Sequence, residues 1–151
     1  MKEEELLVRK IKNGTVIDHI PAGKSLKVVD ILKFDSSSNE TVVILINASS
    51  KKLGKKDIVK IENRELTKDE TNKIALIAPN ATINIIRDWE VVEKRKVILP
   101  EILEGIVKCP NSNCITNSNE PIITKFLIQR REPLKLKCWY CERSFRVEEI
   151  L

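Results

Sequence analysis

Lys108-Cys109-Pro110-Asn111-Ser112-Asn113-Cys114-Ile115, followed after a gap of 23 residues by Cys138-Trp139-Tyr140-Cys141, decides how this chain divides and what holds its second half together. These four cysteines are the only ones in 151 residues, and all lie beyond residue 108. Two close pairs on separate turns can converge as a tetrahedron of thiolates, a geometry that suits zinc because its filled d-shell imposes none of its own. Asn111 and Asn113 tolerate the tight turn that aims both sulfurs of the first pair inward. Backbone N–H groups in such turns donate to the sulfurs and spread their charge. The competing readings are two disulfides, which a cytoplasmic setting disfavours, and an iron centre of rubredoxin type, which four thiolates also suit. One zinc ion per chain is the expected occupant. Four Cys ligands leave no coordination position for water, so such a metal is structural rather than catalytic.

Working outward, the cysteine-bearing segment is too short for a strong core, since about fifty residues usually need a metal or disulfides. Residues 98–151 are therefore expected to form a small all-β zinc-binding domain. The boundary falls near Val97–Leu103, where Leu99-Pro100-Glu101 interrupts a strand pattern; Pro100 cannot donate to a ladder and biases Leu99 towards an extended conformation. Residues 1–97 carry 19 Lys+Arg against 15 Asp+Glu, and residues 98–151 carry 8 against 7. Four thiolates with one divalent ion would shift the second part from +1 to −1 and the whole chain from +5 to +3. A surplus this mild fits a small anionic ligand better than nucleic acid, which calls for a denser basic stripe. No apolar run approaches the roughly 20 residues of a membrane span. The acidic start, Met1 to Glu5, lacks the basic and apolar regions of a secretory signal. The cytoplasm is the expected compartment.

In residues 1–97, Leu6–Ile11 reads as a strand turned by Asn13-Gly14, and Thr15–Ile20 continues in extended form up to Pro21-Ala22-Gly23. Leu26, Val29, Leu32 and Lys33 recur at helical spacing and predict a helix over Ser25–Phe34. Thr41–Asn47, rich in β-branched residues, reads as a strand buried on both faces. Asp57–Glu62 alternates as a half-buried strand. Thr67 and Glu70 form a capping box that opens a helix through Ile74 and Ile77, stopped near Pro79. Ala81–Arg87 and Trp89–Val97 read as two strands joined at Asp88. This order suits an antiparallel sheet with two helices on one face, and a ferredoxin-like α+β sandwich is its simplest arrangement.

Within Gly14-Thr15-Val16-Ile17-Asp18-His19-Ile20-Pro21, Asp18 and His19 are consecutive, so in a regular strand they point to opposite faces. His19 is the only histidine. It is read either as a packed structural residue or, when protonated, as a phosphate partner; Asp18 can accept from ribose hydroxyls. Lys60 and Lys94 are flexible point charges that suit a polyphosphate, or else lysines snorkelling at the surface. Glycine occurs only four times, and neither glycine-rich phosphate motif is present. A bound nucleotide would be gripped by side chains and strand backbone instead. No nucleophile–base arrangement stands out that would support catalysis.

Together, Gly14–Pro21, Lys60-Ile61-Glu62-Asn63, Ala78-Pro79-Asn80-Ala81-Thr82-Ile83-Asn84, Cys109–Ile115 and Cys138-Trp139-Tyr140-Cys141-Glu142 resemble the regulatory chain of aspartate carbamoyltransferase, along nearly the whole length. The resemblance implies a non-catalytic subunit of pyrimidine biosynthesis. Its N-terminal domain would bind the nucleotide effectors CTP and ATP, with UTP a further candidate. Its zinc domain would dock on the catalytic chain, and paired regulatory chains would bridge two catalytic trimers in a hetero-oligomer. By matching positions, Asp18 and Lys60 would contact the ribose, and His19 and Lys94 the phosphates. Ile11, Ile85 and Trp89 would line or hydrogen-bond the base, partly through backbone groups, and Val8, Ile58, Asn84 and Val91 would complete the pocket. Trp89 stands where the family pattern has Tyr, while Met1–Leu7 and the linker Arg95–Glu101 diverge from it.

The alternative of another class is a zinc-ribbon nucleic-acid-binding protein with Arg130, Arg131, Lys135, Lys137 and Arg143 as its contact face. That reading leaves the N-terminal match unexplained and lacks a series of stacking aromatics, which total 4% of the chain.

Overall fold

The computed structural model describes residues 10–34, 37 and 39–151. The chain forms two compact units, Met1–Ile98 and Leu99–Leu151. In the first, the described elements are β1 (Gly14–Pro21), α1 (Ser25–Leu32), β2 (Val42–Ser50), β3 (Gly54–Glu62), α2 (Lys68–Ile77), β4 (Thr82–Arg87) and β5 (Glu90–Lys96). All neighbouring strands pair antiparallel, in the order β2-β3-β1-β4-β5. The first four in that row are the ferredoxin-like split βαβ arrangement, and β5 extends it as a hairpin partner of β4. The expected strand over Leu6–Ile11 falls largely outside the described residues; Ile11 itself is buried but not in a strand.

One face of this sheet carries the core. Ile17, Val59 and Ile83 are register partners across β1, β3 and β4, and all are fully buried. Each such side chain contributes about 1.5–3 kcal/mol relative to exposure. Thr15, Ile61 and Ile85 form the next row on the same side. The Thr15 hydroxyl donates to the Arg64 carbonyl at 2.7 Å, so the buried polar group is satisfied.

The helices differ in how they start. Thr67 caps α2 as its spacing predicts: its hydroxyl accepts from the Glu70 N–H, and the Glu70 carboxylate accepts from the Thr67 N–H. Helix α1 has no such cap of its own. Instead the Asp57 carboxylate on β3 accepts from the Gly23 and Ser25 N–H groups and from the Ser25 hydroxyl. With Ser25 turned inward, the buried stripe runs Ser25, Val28, Leu32. Of the residues whose spacing predicts the helix, Leu32 joins this stripe, whereas Leu26 is 61% exposed, Val29 is half-buried and Lys33 is exposed. Left-handed Lys33 (φ 53°) ends α1 at Leu32, two residues short of the expected Phe34.

Strand β2 also corrects its sequence reading. Among the described residues it is a sheet edge, and of its nine residues only Ala48 is buried. A run of β-branched residues records a preference for pleated backbone, which an edge satisfies as well as a centre does.

In the second unit β6 (Ile102–Glu104), β7 (Lys125–Arg131), β8 (Leu134–Cys138) and β9 (Ser144–Arg146) form a four-stranded antiparallel sheet in chain order. A 3-10 turn (Ile115–Asn117) and a single-turn helix α3 (Val147–Ile150) complete it. Leu103, Phe126 and Leu136 form its small apolar centre.

Candidate functional site

The four cysteines converge as their spacing predicts. Cys109, Cys114 and Cys138 are buried, Cys141 is half-buried, and their Sγ atoms all lie within 4.8 Å of one another. The Cys109–Cys141 and Cys114–Cys138 sulfur distances are 3.8 and 3.7 Å. Disulfide sulfurs sit near 2.05 Å, so these are free thiols. A regular tetrahedron with metal–sulfur bonds of about 2.3 Å has edges of about 3.8 Å. The cage therefore fits a tetrahedral metal ion.

Local hydrogen bonds set each turn. Asn111 takes an Asx turn, its Oδ1 accepting from the Asn113 N–H, and its carbonyl accepts from the Cys114 N–H at 3.0 Å. Asn117 then donates to the carbonyls of Cys109 and Asn111, at 2.9 and 2.7 Å. The second turn closes by Glu142 N–H donating to the Cys138 carbonyl, with Glu142 left-handed at φ 61°. The Thr116 hydroxyl donates to Cys114 Sγ at 3.2 Å. Sequence reading missed Thr116 and Asn117; their only signal was a polar pair one residue beyond the second ligand, after Ile115.

The thiols are pushed apart in acidity. Burial drives Cys109 up to about 12. At Cys141 burial also pushes upward, but donation from the Arg143 N–H and the Asn111 side chain outweighs it and brings the thiol down to about 7. Such donors favour thiolate, the form a metal requires.

On the N-terminal sheet, the face opposite the helices gathers most of the other predicted residues. Register places Lys60 (β3), Val16 (β1), Asn84 (β4) and Lys94 (β5) in one transverse row. Asn84 Oδ1 is a buried acceptor with no hydrogen-bond partner among the described residues, an uncommon state for a side-chain oxygen. One row along lie Ile58 (β3), Thr82 (β4) and Lys96 (β5). In the other direction lie Gly14, Ile86 and Val91.

Asp18 and His19 enter this face by a route the sequence did not announce. The register of β1 against β3 slips between Ile17 and Ile20, so both residues stand opposite Ile58. His19 is left-handed at φ 59°, and its N–H donates to Asp18 Oδ1 at 2.6 Å. The bulge overturns the expectation of opposite faces: bulges re-aim side chains in this way. His19 Nδ1 lies 3.0 Å from Thr82 Oγ1, and Asp18 pairs with Lys56 Nζ at 3.0 Å. Burial, chiefly, lowers the His19 pKa; Asp18 opposes the shift, while Lys56, Lys52 and Lys94 add to it. Lys56 is only 3% exposed, and sequence reading missed it.

Four predicted residues are not placed on this face or lie outside the described residues, among them Ile11, which is buried and belongs to no strand. Ile85 is a register partner of Thr15, so its side chain belongs to the helix side and only its backbone is within reach. Trp89 is left-handed (φ 72°) and 57% exposed, and its N–H donates to the Lys12 carbonyl at 2.9 Å. Val8 lies outside the described residues.

Two family models match the chain: "Aspartate carbamoyltransferase regulatory chain, allosteric domain" over residues 6–98, and "Aspartate carbamoyltransferase regulatory chain, metal binding domain" over residues 101–151. A protein of Pyrococcus abyssi named aspartate carbamoyltransferase regulatory chain is 61% identical over 148 residues, covering 97% of both chains. One of the same name from Methanothrix thermoacetophila is 55% identical, covering 100% of this chain and 99% of its own. A third, from Pyrococcus furiosus, is 57% identical and covers 97% of both. With each half matched by its own model of one family and relatives of equal extent more than half identical, this chain belongs to the aspartate carbamoyltransferase regulatory chain family.

Proposed function

We propose that this chain binds nucleoside triphosphates, CTP and ATP among them, on the open face of its N-terminal sheet, and that it passes their effect to catalytic trimers of aspartate carbamoyltransferase through a zinc-held C-terminal domain. The observation that carries the reading is the row Lys60–Val16–Asn84–Lys94 beside the Asp18–His19 bulge, with its buried orphan acceptor. Polarity runs along that face in the sense a nucleotide needs. Gly14, Ile86 and Val91 offer an apolar end for the base, Lys60 and Asn84 a polar middle for the ribose, and Lys56, Lys94 and Lys96 a cationic end for phosphates, with the His19 imidazole beside it. The Asn84 oxygen would be satisfied by a hydroxyl or amine of the ligand. Asp18, Lys60, His19 and Lys94 keep the roles assigned by resemblance, with Lys56 added to the phosphate end. Val8, Ile11, Ile58, Ile85, Trp89 and Val91 complete the surround.

The ion in the cysteine cage is proposed to be zinc. Four thiolates close its coordination, so it shapes a surface rather than activating water. The exposed Ile115, Trp139 and Tyr140 beside the cage are the proposed contact with the catalytic chain. Regulatory chains would pair with each other through their N-terminal domains, residues 1–97, and residues 98–151 would form the docking domain. Among the described residues no helix is long and apolar enough to cross a membrane; the cytoplasm, where the substrates of pyrimidine synthesis reside, is the proposed location. The match of residues 101–151 to a regulatory-chain metal-binding domain disfavours the nucleic-acid-binding ribbon.

A nucleotide acts allosterically only by binding two global states with different affinity, a coupling of about 1–3 kcal/mol. Calorimetric titration of the zinc-loaded chain with CTP and with ATP tests the site. Saturable binding, weakened at least tenfold in Lys60→Ala, is expected. A folded chain that binds neither nucleotide overturns the reading.

A further inference from the structure

Asp57 is fully buried, carries a charge, and has no part in the nucleotide site just described. It lies on β3 directly after Lys56, so its side chain enters the helix side of the sheet while Lys56 enters the open side. Both neighbours of β3 bulge at this level. On β1 the bulge holds Asp18 and His19; on β2 it falls between Leu45 and Ala48, where Asn47 is left-handed at φ 62°.

The Asp57 carboxylate reaches across both interruptions. Oδ2 accepts from Gly23 N–H at 2.9 Å, Ser25 N–H at 3.1 Å and Ser25 Oγ at 2.6 Å. Oδ1 accepts from Asn47 N–H at 3.1 Å. The chain leaving the Asp18–His19 bulge and the chain passing through the β2 bulge are thus tied to one side chain, one residue from Lys56. These donors hold the carboxylate ionised: burial pushes its pKa upward, but the Ser25 hydroxyl and the three N–H groups prevail and lower it. An amide of the same shape would turn an NH2 group towards donors on one side or the other.

We infer that Asp57 is a positioning residue of the effector site: from the buried side of the sheet it fixes the β1 and β2 bulges relative to Lys56, and so sets the placement of His19, Asp18 and Lys56 on the open face. The inference rests on the nucleotide reading above. It distinguishes Asp57 from a residue that merely caps α1, because capping alone would leave the open face unchanged.

The test compares the zinc-loaded full chain with its Asp57→Asn and Ser25→Ala variants, by calorimetric titration with CTP and by NMR titration of His19. Because His19 is the only histidine, its ring signals report this one place. The charges that act on it are Asp18, Lys56, Lys52 and Lys94, not Asp57, so a change in its titration reports altered geometry. Asp57→Asn is expected to weaken CTP binding about tenfold at a temperature where the chain is folded. The His19 pKa should rise towards its ordinary value as the bulge loosens and burial falls. Ser25→Ala, which removes one donor, should move both in the same direction by less. If Asp57→Asn does not fold, Ser25→Ala decides the matter. A folded variant with native CTP affinity and an unshifted His19 overturns the positioning role while leaving the nucleotide site in place. Absence of CTP binding by the native chain overturns the nucleotide reading and this inference with it.

Discussion

The two units of this chain meet the same problem, too few residues for a large core, by different means. In the N-terminal unit, rows of Ile and Val across three strands exclude water on one side of a sheet, and the opposite face is left to polar and cationic groups. In the C-terminal unit only Leu103, Phe126, Leu136 and a few neighbours are buried around the sheet, and four sulfurs replace the missing apolar contacts. The difference teaches where function can be placed. A core distributed over many small contributions tolerates a bulge and an orphan acceptor on its open face. A domain centred on one metal concentrates its stability at one point, and the residues beside that point inherit its rigidity.

Metal removal should break this comparison most sharply. Structural zinc in thiolate cages contributes on the order of 10 kcal/mol or more at neutral pH. A strong chelator, or Cys114→Ala, should therefore release amide protection throughout 99–151 while β1 to β5 keep theirs, as read by hydrogen exchange. Equal loss in both units, or none in the second, would show that the cage does not carry its fold. A core truncation should do the reverse on a smaller scale. Ile17→Ala removes a fully buried side chain at the centre of the sheet and is expected to cost about 2–5 kcal/mol. Thermal unfolding would locate that loss in the N-terminal unit, with metal content by mass spectrometry unchanged.

The smallest effect expected is at the α2 cap. Thr67→Ala should destabilise the N-terminal unit by about 1 kcal/mol. Glu70 adds a pH signature. Burial pushes its pKa upward, but the Thr67 N–H and Arg64 prevail and lower it. A carboxyl held below its unfolded value stabilises above that value, about pH 4.3, and loses the contribution as pH falls through the folded one. Acid unfolding of the N-terminal unit should thus be steeper in the native chain than in Glu70→Gln, which has no carboxyl to titrate; identical profiles would remove the Glu70 carboxylate from the acid response.

Much of this architecture is legible in the sequence. The cysteine spacing announced the cage, because ligand geometry is a local constraint written into two short turns. The capping box announced α2, because both of its partners lie within one helical turn. The order of strands and helices pointed to the ferredoxin-like sheet. The misreadings share one cause. Leu26 and Val29 had the spacing of a buried stripe, yet Ser25 faces inward because Asp57, 32 residues away, holds it there. Thr41–Asn47 had the composition of a central strand, yet nothing pairs on its outer side among the described residues. Lys56 resembles any surface lysine in the sequence, yet across the β1 bulge its Nζ meets the carboxylate of Asp18, 38 residues distant.

The sequence by itself therefore determined the division into two units, the metal cage, the α2 cap and the family, since each rests on residues close together in the chain or on a pattern carried along its whole length. Only the tertiary structure decided which face of α1 is buried, that β2 is an edge among the described residues, and that Asp18 and His19 share one face of the sheet. Those outcomes depend on strand register, where a slip of one residue reverses every side chain beyond it. Register is set by contacts between segments that the linear order keeps apart.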